Sequence, residues 1–233
     1  LKKPSRTGLG LAQLCYQLLT ENVEAAMDAV KNKIVTPALE QTIEATIYLS
    51  GVGAEAGGLA AAHAVNNGMS AVADLHKAQH GEKVVFGLLT QLVLENAPKA
   101  EIDNVIRIIK TAGLPLTLAD LGLKTFIETE WRKVAEIACA EGDTMGNMPM
   151  KLTADDVYQA MIAANAMAEK AAAAQPMVGL PTSRSGRALS TSVMRVKRVT
   201  SEVTGLPAKL ISEAGLSDLR PIGRPPSPSR ERA

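Results

Sequence analysis

Three histidines, His63, His76 and His80, are all this chain has, and they fall within eighteen positions of one another. A neutral imidazole is the side chain best suited to hold a divalent ion or move a proton near neutral pH. His63 is flanked by alanines (Ala61-Ala62-His63-Ala64), which leaves room beside its ring. His80 immediately precedes Gly81-Glu82-Lys83 and a long apolar stretch. At the start of a helix the backbone dipole disfavours the imidazolium and keeps the ring in its metal-binding form. Seventeen residues separate the two, enough for a helix, a loop and a new helix start, so their rings can converge. A metal pair and a set of surface or capping histidines both fit that spacing. His76 sits beside Asp74 and Lys77 in a polar stretch, where a solvated ring is expected.

The two cysteines, Cys15 and Cys139, lie far apart in amphipathic segments. Two thiols make neither a disulfide framework nor a zinc ribbon. They read as reduced and buried, which points to a cytoplasmic location. Glu55 reads as a first-turn carboxylate of the helix that carries His63. Met145, Met148 and Met150 read as core or loop filler, and Trp131 as a packing residue.

The elements that must position these residues follow from the apolar pattern. The 233 residues are 46% apolar and 21% charged, which supports a packed core. Only 3% are aromatic, so Ala, Leu, Val and Met must fill it by close helix-on-helix packing. Leu9, Leu11, Leu14, Leu18, Leu19, Val23 and Met27 mark a helix over 8–30. Thr36-Pro37 opens a second, through Leu39, Ile43 and Ile47 to about Ser50. Gly51, Gly53, Gly57 and Gly58 suggest close contact between helices, and a helix over 55–67 is expected to end at Gly68. A loop over 69–80 leads into an apolar, central helix to about Asn96. Helices over 100–112, 125–140 and 153–174 complete the set, the last with Thr153 as cap and Asp155-Asp156 in its first turn. The expected fold is an all-α bundle of about seven helices, with no sheet.

Residues 1–175 form this helical domain. Residues 176–233 are rich in Ser, Pro and Arg, and from Ser183 onward ten basic residues face four acidic ones. This is read as a basic, disordered tail with one short helix near 206–214. No aromatics are interleaved to stack on bases, and the whole chain carries only +1, so nucleic acid is not an expected partner. No apolar run reaches the length of a membrane span, so no membrane partner is expected.

At this point the sequence carries a resemblance. Gly51-Val52-Gly53-Ala54-Glu55-Ala56-Gly57-Gly58-Leu59-Ala60-Ala61-Ala62-His63-Ala64-Val65 and His80-Gly81-Glu82-Lys83-Val84-Val85-Phe86-Gly87 resemble the iron-containing alcohol dehydrogenase family, specifically its glycerol dehydrogenases. Val35–Glu40, Gln91–Ala97, Gly113–Ala119 and Cys139–Thr144 with Asn147-Met148-Pro149 agree in order and spacing, so the resemblance runs over about 8–170. It implies NAD-dependent oxidation of glycerol or a related small polyol to the ketone. It implies one divalent ion, zinc most often, held by an Asp and two His. His63 and His80 match the two histidines, and Ala54 with His63 match the substrate pocket. The Asp and the Gly-rich loop of the NAD domain belong to a segment preceding Leu1. The chain therefore resembles the C-terminal helical domain alone and is expected to be inactive by itself, its full-length form being a homo-oligomer. A truncated helical domain or interaction module is the alternative. Two departures stand out: Ala54 where relatives commonly carry an aromatic residue, and Asn66 where they commonly carry a second histidine.

Overall fold

The computed structural model describes residues 4–174. The expected basic tail over 176–233 and its short helix near 206–214 lie outside the described residues. Among those described there is no strand, and the elements are helices throughout. They are α1 (Arg6–Lys31), α2 (Pro37–Ile43), α3 (Ser50–Gly57), α4 (Ala61–Met69), α5 (His80–Leu94), α6 (Lys99–Thr111), α7 (Glu128–Ala138) and α8 (Ala154–Ala173). A π-helical turn, Glu44–Leu49, joins α2 to α3 without a break, so the eight segments make seven rods. No described helix is long and apolar enough to cross a membrane.

Local chemistry sets most boundaries. Ser5 caps α1 by accepting the Gly8 N–H, and Thr36 caps α2 by accepting the Leu39 N–H, with Pro37 as the first helical residue. Gln79 and Glu82 form a reciprocal box at the start of α5, and Thr153 with Asp156 forms another at α8. Along the α2–α3 rod the hydroxyls of Thr42, Thr46 and Ser50 each donate to a carbonyl of the preceding turn. Such bonds compete with the helical ladder and loosen it, in keeping with the wider π turn found there.

The expected helix over 55–67 does not run through. Gly58 adopts φ +80 and Ala60 is non-helical (φ −140, ψ −135), so α3 stops and α4 starts afresh at Ala61. The Gly57-Gly58 pair permits this break locally, since glycine takes a positive φ without steric cost. It is held from outside: Asn147 Nδ2 donates to the Leu59 carbonyl (2.8 Å), Thr144 Oγ1 to the Ala60 carbonyl (2.8 Å), and the Ala62 N–H to Gln91 Oε1 (3.1 Å). Glu55 consequently lies in α3, exposed, and not in the first turn of the His63 helix.

Gly68 does not end α4 either. It is buried inside the helix, where a β-carbon would collide with the Val134 carbonyl oxygen of α7. Gly87 plays the same part in α5: a β-carbon there would fall into the Ala62 carbonyl, with the carbonyl carbon at 2.9 Å. Of the clustered glycines, Gly53 does meet α1, its β-position 3.5 Å from the Ala12 nitrogen, while Gly51 faces open space. Close approach by α1 is concentrated at Gly8, against the Ala56 and Gly57 backbone.

Helices α4 and α5 form the middle of the bundle, α4 being buried on nearly every side. Around them pack α7 and α8, with α1, the α2–α3 rod and α6 on the flank. Three of the six aromatics gather in one place: Trp131, fully buried, meets Phe86 edge-on at 6.2 Å and stacks on Phe126 at 5.5 Å. Met145 and Met148 are core residues and Met150 is exposed. Cys15 is buried, and its thiol donates to the Ala45 carbonyl at 3.2 Å. Burial pushes its pKa up to about 12. Cys139 is half-buried.

Two outcomes follow. Gly87→Ala should destabilise the chain by about 1–3 kcal/mol, the usual range for overpacking against atoms that cannot move aside. Urea unfolding measures it, and an unchanged midpoint would remove the tight α4–α5 crossing. Iodoacetamide at mildly alkaline pH should modify Cys139 well before Cys15, since the thiolate is the reactive form. Peptide mapping reads the order, and equal rates in the folded chain would contradict the burial of Cys15.

Candidate metal and substrate site

His63 is the third residue of α4 and His80 the first of α5. The crossing at Gly87 falls one residue from His63 and two turns along α5 from His80, so the packing that fixes the helix pair also fixes the histidines. Their ring centroids are 5.5 Å apart, with the planes tilted by 49°. His63 is 7% exposed, and His80, exposed overall, has its ring beside it. Partial burial lowers the His80 pKa below the ordinary histidine value, with His63 and Lys83 adding to the effect. A lowered pKa keeps the ring neutral, with a lone pair to give, further into acid than an exposed histidine.

The separation has chemical meaning. Two imidazoles on one tetrahedral ion, with metal–nitrogen bonds of about 2.0–2.1 Å, place their ring centroids roughly 5 Å apart. The donor set suits zinc, and the pair could hold two of its positions. Among the described residues no group of three His, Cys, Asp or Glu side chains is placed to hold an ion.

His76, Ala54 and Glu82 lie on the turn between α4 and α5, on α3 and on α5 respectively. His76 is exposed on a 3₁₀ turn, with Nε2 3.1 Å from the Ser70 carbonyl oxygen. Ala54 is half-buried in the last turn of α3, and its carbonyl accepts the Gly58 N–H that begins the bend toward α4. Glu82 serves the helix start by accepting the Gln79 N–H at 2.9 Å.

A polar chain beside the histidines has less obvious sequence signals. Asn66 Nδ2 lies 3.2 Å from His80 Nδ1 and 3.3 Å from Asn67 Oδ1. Asn67 Nδ2 donates to both Asp143 carboxylate oxygens, at 3.1 and 3.3 Å. Asp143 Oδ1 also accepts the Thr144 N–H at 2.6 Å, and Thr144 in turn holds the Ala60 carbonyl. The Asn66-Asn67-Gly68 run suggests a helix terminus, yet both asparagines sit inside α4.

Comparison with known proteins finds similar chains over this helical stretch. The chain is 55% identical over 163 residues to a glycerol dehydrogenase of Escherichia coli O6:H1, covering 70% of this chain and 44% of that protein. It is 52% identical over 165 residues to the glycerol dehydrogenase of Pseudomonas putida, covering 71% and 45%. Over the matched stretch, this chain is a homologue of the glycerol dehydrogenases. A crystal structure of a probable glycerol dehydrogenase from Sinorhizobium meliloti 1021 superposes with a TM-score of 0.68 at 38% identity, covering 72% of this chain and 47% of that one. The all-helical fold is thus that of part of a glycerol dehydrogenase. The chain spans a little under half the length of these curated relatives. No family model matches the sequence.

The titration of His80 checks the local electrostatics. In the metal-free chain its NMR midpoint should lie below that of a histidine in a short peptide, and His63→Ala should move it back upward. Since the folded pKa is depressed, the charged form is disfavoured in the fold, and this contribution to stability is lost as pH falls through the folded value. A midpoint at or above the peptide value would contradict the packing of the two rings.

Proposed function

We propose that this chain is the helical, metal-carrying half of an NAD-dependent dehydrogenase that oxidises glycerol or a related small polyol to the ketone. His63 and His80 are two of the ligands of one divalent ion, zinc by preference. The observation that carries the reading is the convergence of the two rings at 5.5 Å from separate helices, on the two histidines that the resemblance assigns as ligands. When bound, such an ion supplies Lewis acidity that lowers the pKa of a substrate hydroxyl, while NAD, carried by a separate cofactor domain, accepts the hydride.

This chain's own residues have three tasks. His63, buried among alanines whose own exposure is nil, presents its ring from a fixed helix and excludes water on that side. His80, neutral at physiological pH and exposed overall, offers the second nitrogen. Ala54, at the end of α3, is the wall of the pocket, with a methyl where the resemblance expects an aromatic ring. The remaining ligand, the carboxylate, and the nicotinamide come from the cofactor domain. Holding the nicotinamide against the substrate carbon can contribute up to about 7–11 kcal/mol of barrier lowering, which the helical half cannot supply.

The experiment compares the 233-residue chain with a longer polypeptide bearing a Gly-rich cofactor domain and its carboxylate, assaying NADH formation from glycerol and 1,2-propanediol. The short chain should show no turnover and bind zinc weakly. The longer one should turn over, and His63→Ala or His80→Ala should abolish activity and weaken zinc by more than the ~10–100-fold that loss of an outer partner costs. Turnover by the short chain would refute the need for the cofactor domain. Zinc affinity unmoved by either histidine substitution would refute the ligand assignment.

A further inference from the structure

Asn66 is 6% exposed, and both hydrogens of its amide are in use, one toward Asn67 Oδ1 and one toward His80 Nδ1. Its Oδ1 is buried and has no partner among the described residues. A buried amide oxygen of this kind is ordinarily satisfied, so its orientation needs a cause. The cause lies further along the chain of contacts. An ionised carboxylate accepts only, so Asp143 compels Asn67 to present its NH₂. Asn67 Oδ1 then faces Asn66 and requires a donor. Asn66 must answer with its own NH₂, and the same NH₂ faces His80. His80 Nδ1 is therefore an acceptor, and the neutral ring carries its proton on Nε2.

We infer that Asn66 sets the tautomer of His80, through an amide orientation dictated by Asp143 and Asn67. The consequence for metal binding rests on the ligand role proposed for His80 above. Nδ1 is turned to Asn66, so Nε2 is the nitrogen open to an ion. To give Nε2 to a metal, the ring must move its proton to Nδ1, where a ligating histidine normally donates to an outer acceptor. Asn66 supplies that acceptor by turning its amide through half a turn, which engages the orphan Oδ1 and gives up the bond to Asn67. Two oxygens, of Asn66 and Asn67, then oppose each other. The Asp143–Asn67 contact thus works against loading of His80, and Asn66 is a positioning residue acting through the imidazole.

The test uses the metal-free 233-residue chain, labelled with nitrogen-15, at a pH where His80 is neutral. Ring nitrogen shifts, assigned with His80→Gln, should show the proton on Nε2. Asn66→Asp, whose carboxylate can only accept, should move it to Nδ1. Asn67→Ala, an exposed site that keeps the experiment readable should Asn66→Asp not fold, should release the amide and populate both tautomers. A wild-type proton on Nδ1, or a tautomer that neither variant shifts, overturns the inference. Titration with zinc sulfate supplies the second readout: Asn66→Asp and Asn67→Ala should bind zinc about tenfold more tightly than wild type, the low end of outer-partner effects. A tautomer that reverses while zinc affinity stays fixed upholds the inference and removes His80 from the ligand set.

Discussion

The contact between the Gly87 backbone of α5 and the Ala62 carbonyl of α4 is the constraint on which the site depends. Two helices can approach this closely only where one lacks a side chain, and the approach sets both their separation and their rotation. Gln91, one turn beyond Gly87, locks the register by accepting the Ala62 N–H from within the core. A second glycine, Gly68, repeats the device on another face of α4 against α7. Between these two fixed points α4 has little freedom to slide or roll, and His63 inherits that rigidity.

The near absence of aromatic residues follows from the same requirement. A core built of alanine, valine and leucine allows backbones to meet, whereas bulky rings would hold them apart. The exception is the cluster of Phe86, Phe126 and Trp131, one residue from Gly87 along α5. There the large rings fill the space beside the tight crossing. Small residues at the site and large ones next to it divide the work of packing: the first set distance, the second add buried area.

Much of this was readable from residue order. The caps at Thr36 and Thr153 depend on contacts three residues apart, and each forms where the local pattern placed it. The number and order of helices followed from apolar periodicity. What escaped local reading was decided at long range. The bend at 58–60 is held by Gln91, Thr144 and Asn147, from 29 to 88 residues away. The glycines posed an ambiguity of kind: Gly68 has the sequence of a helix terminator and the role of a spacer. The histidine pair was visible as spacing and as a family match. Its outer contacts were not, because Asn67 and Asp143 meet across 76 residues.

The placement of Asn67 also bears on the chemical ageing of the chain. Asn67-Gly68 is the dipeptide most prone to deamidation, because the unhindered glycine nitrogen can attack the asparagine side-chain carbonyl and close a succinimide. Here α4 commits the Gly68 nitrogen to the helical ladder and holds it away from that carbonyl, while Asp143 ties down the amide. The sequence carries a weak bond and the fold keeps it out of reach. Any conversion to aspartate, traceable by mass spectrometry of the 61–69 peptide, would place a second carboxylate against Asp143 and report that α4 had opened.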